Sequence, residues 1–315
     1  MLDDPGLEPY VDEARRLAAA LSAVPSVVDR LRDRDEIRRL RAESDEQIRG
    51  MGAFAPPPSR LLTVDGPPPV HVRVFEPDRP PAAVYLEIHG GGWIIGSAAA
   101  GDAANAALAR ECGIVVAAID YRLAPEHPHP AAADDCAAVA RWMAAGAEPL
   151  FGTGRLLIGG ASAGATLAAL TLLRMRDEGM GERFTGANLA YGPYDMSFTP
   201  SQRLADATPL LDRAYLEASR PLVFPGRDPE ALRAPGVSPL YADLSGMPPA
   251  LFTVGALDPF LDDSMFMSAR WRAAGGEADL HVYPESPHGF DMLPTAMAAE
   301  ARRRTIAFLR TRANA

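Results

Sequence analysis

Residues 158–166 read IGGASAGAT, a run in which the hydroxyl of Ser162 lies between two glycines and no charge occurs. The apolar residues 156–158 predict a buried strand, and the residues after Ser162 predict a helix, so the serine falls at the turn between them. Gly160 and Gly164 suit a turn so tight that side chains there would collide with the neighbouring strand and helix. This G-x-S-x-G pattern is typical of a strained turn that presents a nucleophilic serine. The alternative is a packed turn of small residues that contains Ser162 by coincidence.

Strand-like and helical patterns alternate on both sides of this turn. Strands are predicted over residues 61–64, 70–75, 83–89, 113–120, 155–160, 186–192, 249–255 and 278–284. Helices are predicted over residues 101–112, 132–146, 163–179, 264–275 and 296–312. The first two strands indicate an antiparallel entry, and the later alternation predicts a mostly parallel eight-stranded sheet with helices on both faces, an α/β fold.

Two segments lie outside this alternation. Residues 1–53 look helical and amphipathic, and residues 196–240 carry helices and prolines but no strand pattern. We therefore predict N-terminal helices over 1–53, a core over 54–195 and 241–315, and an insertion over 196–240 that can pair with the N-terminal helices as a lid.

Composition excludes several functions. The chain has 315 residues and a formal net charge of −10, which disfavours a nucleic-acid partner. It contains no lysine, so Schiff-base and Ser-Lys mechanisms are excluded. Cys112 and Cys136 are too few for a disulfide framework and are predicted to be reduced core thiols. The acidic N-terminus has no signal-peptide pattern, which predicts a cytoplasmic location. Residues 156–173 are uncharged, but their central Gly and Ser residues argue against a membrane span.

A second glycine cluster, His89-Gly90-Gly91-Gly92-Trp93, follows the predicted strand 83–89. Consecutive glycines leave backbone N–H groups uncovered, and such groups can bind a developing oxyanion. A phosphate-binding loop is the rival interpretation, but the Lys and Ser/Thr that it needs after the glycines are absent. We expect His89 to brace this loop rather than act as a base.

A serine nucleophile in this fold needs an acid and then a histidine further along the chain. His281 lies within a strand pattern and is predicted to be a strand side chain, whereas His288 lies in the loop ESPHGF after that strand. Asp258 follows the predicted strand 249–255, where ligands of an open α/β sheet bind. Asp262 and Asp263 are rivals, but they are predicted to cap the next helix.

Five motifs occur in one order: HGGGW, DYRLAPEHPHPAAADD (120–135), GASAG, LDPFLDD and HGF. Together they resemble the hormone-sensitive-lipase-like esterases of the α/β-hydrolase fold, over roughly residues 60–312. The resemblance implies a helical cap built from the N-terminal helices and the insertion. It also implies an oxyanion hole from the N–H groups of Gly91, Gly92 and Ala163.

The chain departs from the usual family pattern at three places. Ala161 and Ala165 stand where the family usually has an acidic residue and a glycine, and His129 stands where an aromatic residue is common. The loss of the acidic side chain removes a polar anchor near the turn and weakens any inference about substrate preference. In the same 120–135 segment, we expect a network that braces the oxyanion loop, and its predicted members are Tyr121, Arg122, Glu126 and Asp134.

The resulting expectation is a carboxylic-ester hydrolase for small or medium acyl groups. Ser162 would attack, His288 would take its proton, Asp258 would orient His288, and Gly91, Gly92 and Ala163 would hold the oxyanion. The same triad acting on a lactone, amide or N-formyl group stays open, as does an inactive receptor-like binding protein. A small-molecule ester is the expected partner, with no nucleic acid, no membrane span, no cofactor and no metal; a homodimer is allowed.

Overall fold

The computed structural model describes residues 4–51, 56–66, 68–206 and 208–315. Its centre is one eight-stranded sheet in the order β1-β2-β4-β3-β5-β6-β7-β8. The strands are β1 Arg60–Val64, β2 Val70–Phe75, β3 Val84–Ile88, β4 Val115–Asp120, β5 Leu156–Ala161, β6 Phe184–Ala190, β7 Ala250–Gly255 and β8 Ala278–Tyr283. Strand β2 runs antiparallel to β1 and β4, and all other neighbours are parallel. The predicted mostly parallel sheet with an antiparallel entry is confirmed.

The helices lie before, between and after these strands. They are α1 Val11–Leu21, α2 Arg34–Met51, α3 Asp102–Cys112, α4 Ala131–Phe151, α5 Ala163–Asp177, α6 Pro200–Arg203, α7 Arg213–Val223, α8 Pro229–Leu232, α9 Leu261–Ala273 and α10 Ala296–Ala313. Short 3-10 turns cover Pro5–Tyr10, Val28–Arg32, Ala98–Gly101, Gly181–Arg183, Pro239–Tyr241 and Phe290–Met292.

Both faces of the sheet are buried, as the apolar strands require. Leu86 and Ile88 of β3 pack in the main core with α4, α5 and α9, whereas Tyr85, directly before Leu86, packs with α3 and α10 on the opposite face. Successive strand side chains point to opposite faces, so one strand supplies both layers. The predicted helices on both faces are confirmed, and the two cysteines, Cys112 and Cys136, are buried and unpaired as predicted.

Helix α4 continues past the predicted end at residue 146. The chain runs through Gly146 without a break and stops at Gly152, whose φ of 78° is left-handed. A glycine within a helix costs only about 1 kcal/mol, whereas a left-handed residue ends it, so the second glycine sets the boundary.

The segments before β1 and after β6 meet above the sheet. Leu31, Ile37 and Leu40 from the N-terminal segment form one apolar cluster with residues of the insertion, among them Val223 and Phe224. Helix α1 lies elsewhere and packs through Ala14 near α10. Of the predicted range 1–53, residues 1–3 and 52–53 lie outside the described residues.

Candidate active site

Ser162 lies at the turn between β5 and α5. Its φ of 55° and ψ of −122° are strained for a residue with a side chain, and its N–H donates to the carbonyl oxygen of Ala190 at 2.8 Å. A Cβ atom added to Gly160 or Gly164 would overlap the carbonyl oxygen of Ile88 on β3. Both glycines are therefore required by close backbone contact, and together they hold Ser162 at the carboxyl edge of the sheet.

The glycine loop after β3 lies beside this turn. Gly91, Gly92 and Trp93 all have left-handed φ angles of 114°, 60° and 61°. A Cβ atom at Gly91 would overlap the backbone of Ile95, whose N–H donates to the Gly91 carbonyl oxygen at 2.9 Å. Among the described residues, the N–H groups of Gly91, Gly92 and Ala163 donate to no other protein atom. These three donors are the ones that the resemblance implied.

Aromatic stacking and hydrogen bonds brace the glycine loop from behind. The rings of His89 and Tyr121 stack at 4.2 Å and 13°, and the Tyr121 hydroxyl donates to the His89 carbonyl oxygen at 2.9 Å. The His89 Nδ1 lies 2.8 Å from the Gly90 carbonyl oxygen, and burial lowers the pKa of the imidazole. His89 thus contacts the loop itself, as predicted, and burial favours its neutral form there.

The rest of the expected bracing network is only partly correct. Arg122 pairs with Asp135, at 2.8 Å between Nη2 and Oδ1, and not with Asp134. Asp134 instead pairs with Arg174 of α5 at 2.7 Å. Asp135 shares the buried face of α4 with Ala132 and Val139, three and four residues away, whereas Asp134 is exposed. The helical period was the signal that could have separated the two carboxylates.

His288 and Asp258 complete a continuous hydrogen-bonded chain from Ser162. The His288 Nε2 lies 3.0 Å from the Ser162 Oγ, and the Nδ1 lies 2.9 Å from the Asp258 Oδ2. The Asp258 side chain is fully buried and also accepts the N–H of Phe260 at 2.8 Å. Gly255 has no side chain, so the loop of His288 can approach the end of β7 closely. The structure therefore brings together the three residues that the sequence selected.

The rejected histidine has a different place. His281 lies on β8 with its Nδ1 2.8 Å from the Nη1 of Arg304, and burial lowers its pKa. It is a strand side chain, as predicted.

The prediction that Asp262 and Asp263 cap the next helix is wrong. Helix α9 begins at Leu261, and its N-cap residue, Phe260, makes no side-chain capping bond. Asp262 accepts the N–H of Ser201 at 2.8 Å. Asp263 is fully buried, and burial raises its pKa to about 7.

Four donors surround the Asp263 carboxyl, two from the residues directly before the insertion and two from its start. They are the N–H groups of Tyr194 and Asp195, the hydroxyl of Thr199 and the amide of Gln202, at 2.7–2.9 Å. A buried carboxyl needs such donors, so it binds the insertion rather than its own helix. Asp263 precedes the buried Met267 and Trp271 by four and eight residues, and this spacing is a sequence signal for its burial.

Residues 4–51, 56–66, 68–206 and 208–315 contain neither a membrane-spanning helix nor a metal-binding cluster. No helix there is long and apolar enough to cross a bilayer. No three His, Cys, Asp or Glu side chains gather there in a way that could hold a metal ion.

The site has a serine at a strained strand–helix turn, followed along the chain by an acid and a histidine from later strand ends, and a glycine loop beside the serine. This arrangement defines a site of the serine-hydrolase type on an α/β-hydrolase fold. Residues 85–292 match the family described as the alpha/beta hydrolase fold, and the chain belongs to its hormone-sensitive-lipase-like group.

Several relatives resemble most of the chain. Carboxylesterase NlhH of Mycobacterium tuberculosis is 36% identical over 80% of this chain and 81% of its own. Esterase LipI of the same organism is 35% identical over 76% of this chain and 78% of its own. The solved structure of a bacterial heroin esterase has a TM-score of 0.85 and 32% identity, and the match covers 98% of this chain and 99% of that one.

Proposed function

We propose that this chain is a serine carboxylesterase that forms an acyl-enzyme on Ser162. The unbroken chain of hydrogen bonds from Ser162 through His288 to Asp258 is the observation that carries the proposal. The similarity to proteins named carboxylesterase and esterase supports the same activity.

The mechanism follows from the positions of these atoms. The His288 Nε2 takes the Ser162 proton as the Oγ attacks the ester carbonyl carbon, and Asp258 stabilises the imidazolium through Nδ1. The N–H groups of Gly91, Gly92 and Ala163 hold the oxyanion of the tetrahedral intermediate. His288 then protonates the leaving alcohol, and the same base activates the water that hydrolyses the acyl-enzyme.

The first test is reaction with a fluorophosphonate and with a substrate panel. Labelling of Ser162 identifies an active serine hydrolase and excludes an inactive receptor-like protein. Esters of increasing acyl length, lactones, amides and N-formyl amides then define the substrate class. We expect short and medium esters to be preferred, because the rings of Trp93 and Phe224, 5.8 Å apart, and of His129 fill space next to the glycine loop.

We propose that residues 1–53 and 196–240 act as a cap over this site, in which α2 and the 3-10 turn before it, rather than α1, contact the insertion. Arg41 of α2 supports this role, because its Nε and Nη2 donate to the carbonyl oxygens of Ile94 and Ala124 at 2.7 Å. Its guanidinium also pairs with Glu126 at 2.7 Å and holds the pKa of that carboxyl below its usual value. One side chain thus ties α2 to the segments that flank the glycine loop.

Replacing Arg41 with alanine is expected to loosen this tie. Two backbone acceptors lose their donor, at about 1–3 kcal/mol for each one left unsatisfied. We expect faster proteolysis within residues 4–51 and a larger change in KM for medium acyl esters than for acetate. Exposed Arg49 on the same helix supplies the control, Arg49→Ala. Equal proteolysis and KM values in the two variants would remove Arg41 as a cap anchor.

The dependence of kcat/KM on pH tests the base. The imidazole that accepts the Ser162 proton must be neutral, so kcat/KM is expected to fall as the pH drops through roughly 6–7, where histidines commonly titrate. Burial lowers the pKa of His129 to about 4, so that ring is already neutral in this range, and burial also lowers the pKa of His89 and of His281. A profile that stays flat between about pH 5 and 8 in the folded protein would contradict a role for His288.

Two buried carboxyls titrate in the same pH range, but they make the folded protein less stable as the pH rises, whereas activity is expected to increase. Burial raises the pKa of Glu87 and of Asp263 to about 7. An acid whose pKa is raised in the folded state binds more protons there than when unfolded, so its contribution to stability falls as the pH rises toward 7. Melting temperatures measured across the same pH series therefore separate unfolding from loss of the base.

A cytoplasmic location and a homodimer are further proposals. The two unpaired, buried cysteines support a reducing compartment, and cell fractionation tests it. Light scattering of the purified protein tests the dimer.

A further inference from the structure

The carboxyl end of β6 lies between the strand of the nucleophile and the strand of the acid. The carbonyl oxygen of Ala190 accepts the Ser162 N–H at 2.8 Å. The next residue, Tyr191, donates its N–H to the carbonyl oxygen of Thr253 on β7 at 2.7 Å. Ala190, the last residue of β6, and Tyr191 directly after it therefore connect the turn of Ser162 to the strand that leads to Asp258.

The side chain of Tyr191 reaches the loop of His288. Its ring meets the imidazole edge to face, with centroids 4.9 Å apart and planes at 70°. Phe260 makes a second edge-to-face contact with the imidazole at 5.2 Å and 81°. The Tyr191 hydroxyl donates to the Oδ1 of Asp291 at 2.6 Å, and Asp291 follows His288 by three residues. Tyr191 has a left-handed φ of 38°, a strained conformation that the surrounding contacts maintain.

The loop is fastened on both sides of His288. Before it, the carbonyl oxygen of Ser286 accepts the N–H of Leu257 at 3.0 Å, which joins the loop to the segment of Asp258. After it, Asp291 holds the Tyr191 hydroxyl, and Arg302 of α10 donates to the Asp291 carbonyl oxygen. The Tyr191–Asp291 bond joins this loop to the end of β6, where the Ala190 carbonyl oxygen accepts the Ser162 N–H.

We propose that Tyr191 is a positioning residue for His288, acting through its hydrogen bond to Asp291. The bond keeps the imidazole Nε2 within reach of the Ser162 Oγ while the proton moves. This inference rests on the proposed function, since it requires His288 to be the base.

The charges that face the imidazole belong to Asp258, at Nδ1, and to Asp291, with Arg302 beyond it. Burial raises the pKa of the Asp291 carboxyl, whereas the Tyr191 hydroxyl and the charges of Arg302 and His288 oppose that rise. Burial also raises the pKa of the Tyr191 phenol well above its usual value, so the phenol stays protonated and donates. The carboxylate of Asp291 and a charged His288 attract each other.

Tyr191→Phe removes the hydroxyl and keeps the ring against His288. We expect kcat for 4-nitrophenyl acetate to fall about 10-fold and KM to stay within about twofold, because a displaced base slows proton transfer without altering substrate contacts. Tyr283→Phe is the matched control. Tyr283 is also fully buried, and its hydroxyl has no hydrogen-bond partner in the described part of the chain. Its kcat is expected to stay within about twofold of the wild type.

Asp291→Asn separates the hydrogen bond to Tyr191 from the negative charge of the carboxylate. The amide oxygen can still accept from Tyr191, so at least about half of kcat is expected to remain. The loss of a negative charge facing His288 makes its protonation harder, so the acidic limb of kcat/KM should move to lower pH.

A Tyr191→Phe enzyme with kcat within twofold of the wild type overturns the positioning role. So does a loss shared equally by Tyr283→Phe, or a rise in KM with unchanged kcat, which would mark a substrate contact. Wild-type turnover and fluorophosphonate labelling in the same series test the proposed function itself. A silent Tyr191→Phe substitution in an active enzyme therefore refutes the positioning role alone.

Discussion

Replacing Ser162 with alanine is expected to lower kcat for ester hydrolysis by about 10⁴–10⁶-fold and to leave the chain folded. The expected loss is large because the Ser162 Oγ forms the covalent bond to the acyl group. Among the described residues, no other hydroxyl shares its contact with His288. Alanine fits the turn, because the close backbone contacts of the turn depend on Gly160 and Gly164 and not on the serine hydroxyl. The measurements are kcat, fluorophosphonate labelling and the melting temperature.

Ser264→Ala is the matched control for this substitution. Ser264 is a fully buried serine at the start of α9, and its hydroxyl has no partner among the residues that the structure describes. Its removal should change neither kcat nor labelling. If Ser162→Ala kept a tenth of the wild-type activity, the assignment of the nucleophile would be wrong.

Asp258→Asn is expected to lower kcat by about 10⁴-fold. An asparagine amide at this position can donate to the Nδ1 of His288, and the imidazole proton would then lie on Nε2. A protonated Nε2 cannot accept the proton of the Ser162 hydroxyl. The fully buried position and the 2.9 Å contact leave the imidazole no alternative acceptor in the described structure. The rate, the KM and the melting temperature should be compared with those of the wild type.

The neighbouring carboxylates are the controls for the acid. Asp263→Asn places an amide among four donors and is expected to lower the melting temperature with kcat per folded molecule retained. Asp262→Asn, at a half-buried site, should change both quantities little. Loss of activity in either variant, with Asp258→Asn near wild type, would show that the acid is misassigned.

The parts of the fold and site that could be predicted are those with a local sequence pattern. Strand side chains such as those of Tyr85 and Leu86 alternate between the two faces of the sheet, and they are buried on both faces. The glycines at 160 and 164 mark a close approach of backbones that only glycine permits. His288 and Asp258 could be selected because parallel strands place their carboxyl ends along one edge.

The contacts that escaped prediction join residues distant in the chain. The Tyr191–Asp291 bond spans 100 positions, and neither its partners nor the left-handed φ of Tyr191 has a signature in sequence. Arg41, on the N-terminal segment, is 83 positions from the Ala124 carbonyl that it binds. Such pairings depend on how whole layers pack, so no periodicity within one element reveals them.

The donors gathered around Asp263 restrict how this protein can be recombined with its relatives. A chimera that exchanges residues 196–240 for another protein's insertion would also replace Thr199 and Gln202, two of the groups that solvate this carboxyl. The buried carboxyl of Asp263 would then lack two of its hydrogen-bond donors, and the chimera would be less stable for that reason. A transplant boundary drawn before residue 194, with position 263 carried along, keeps donor and acceptor in one module.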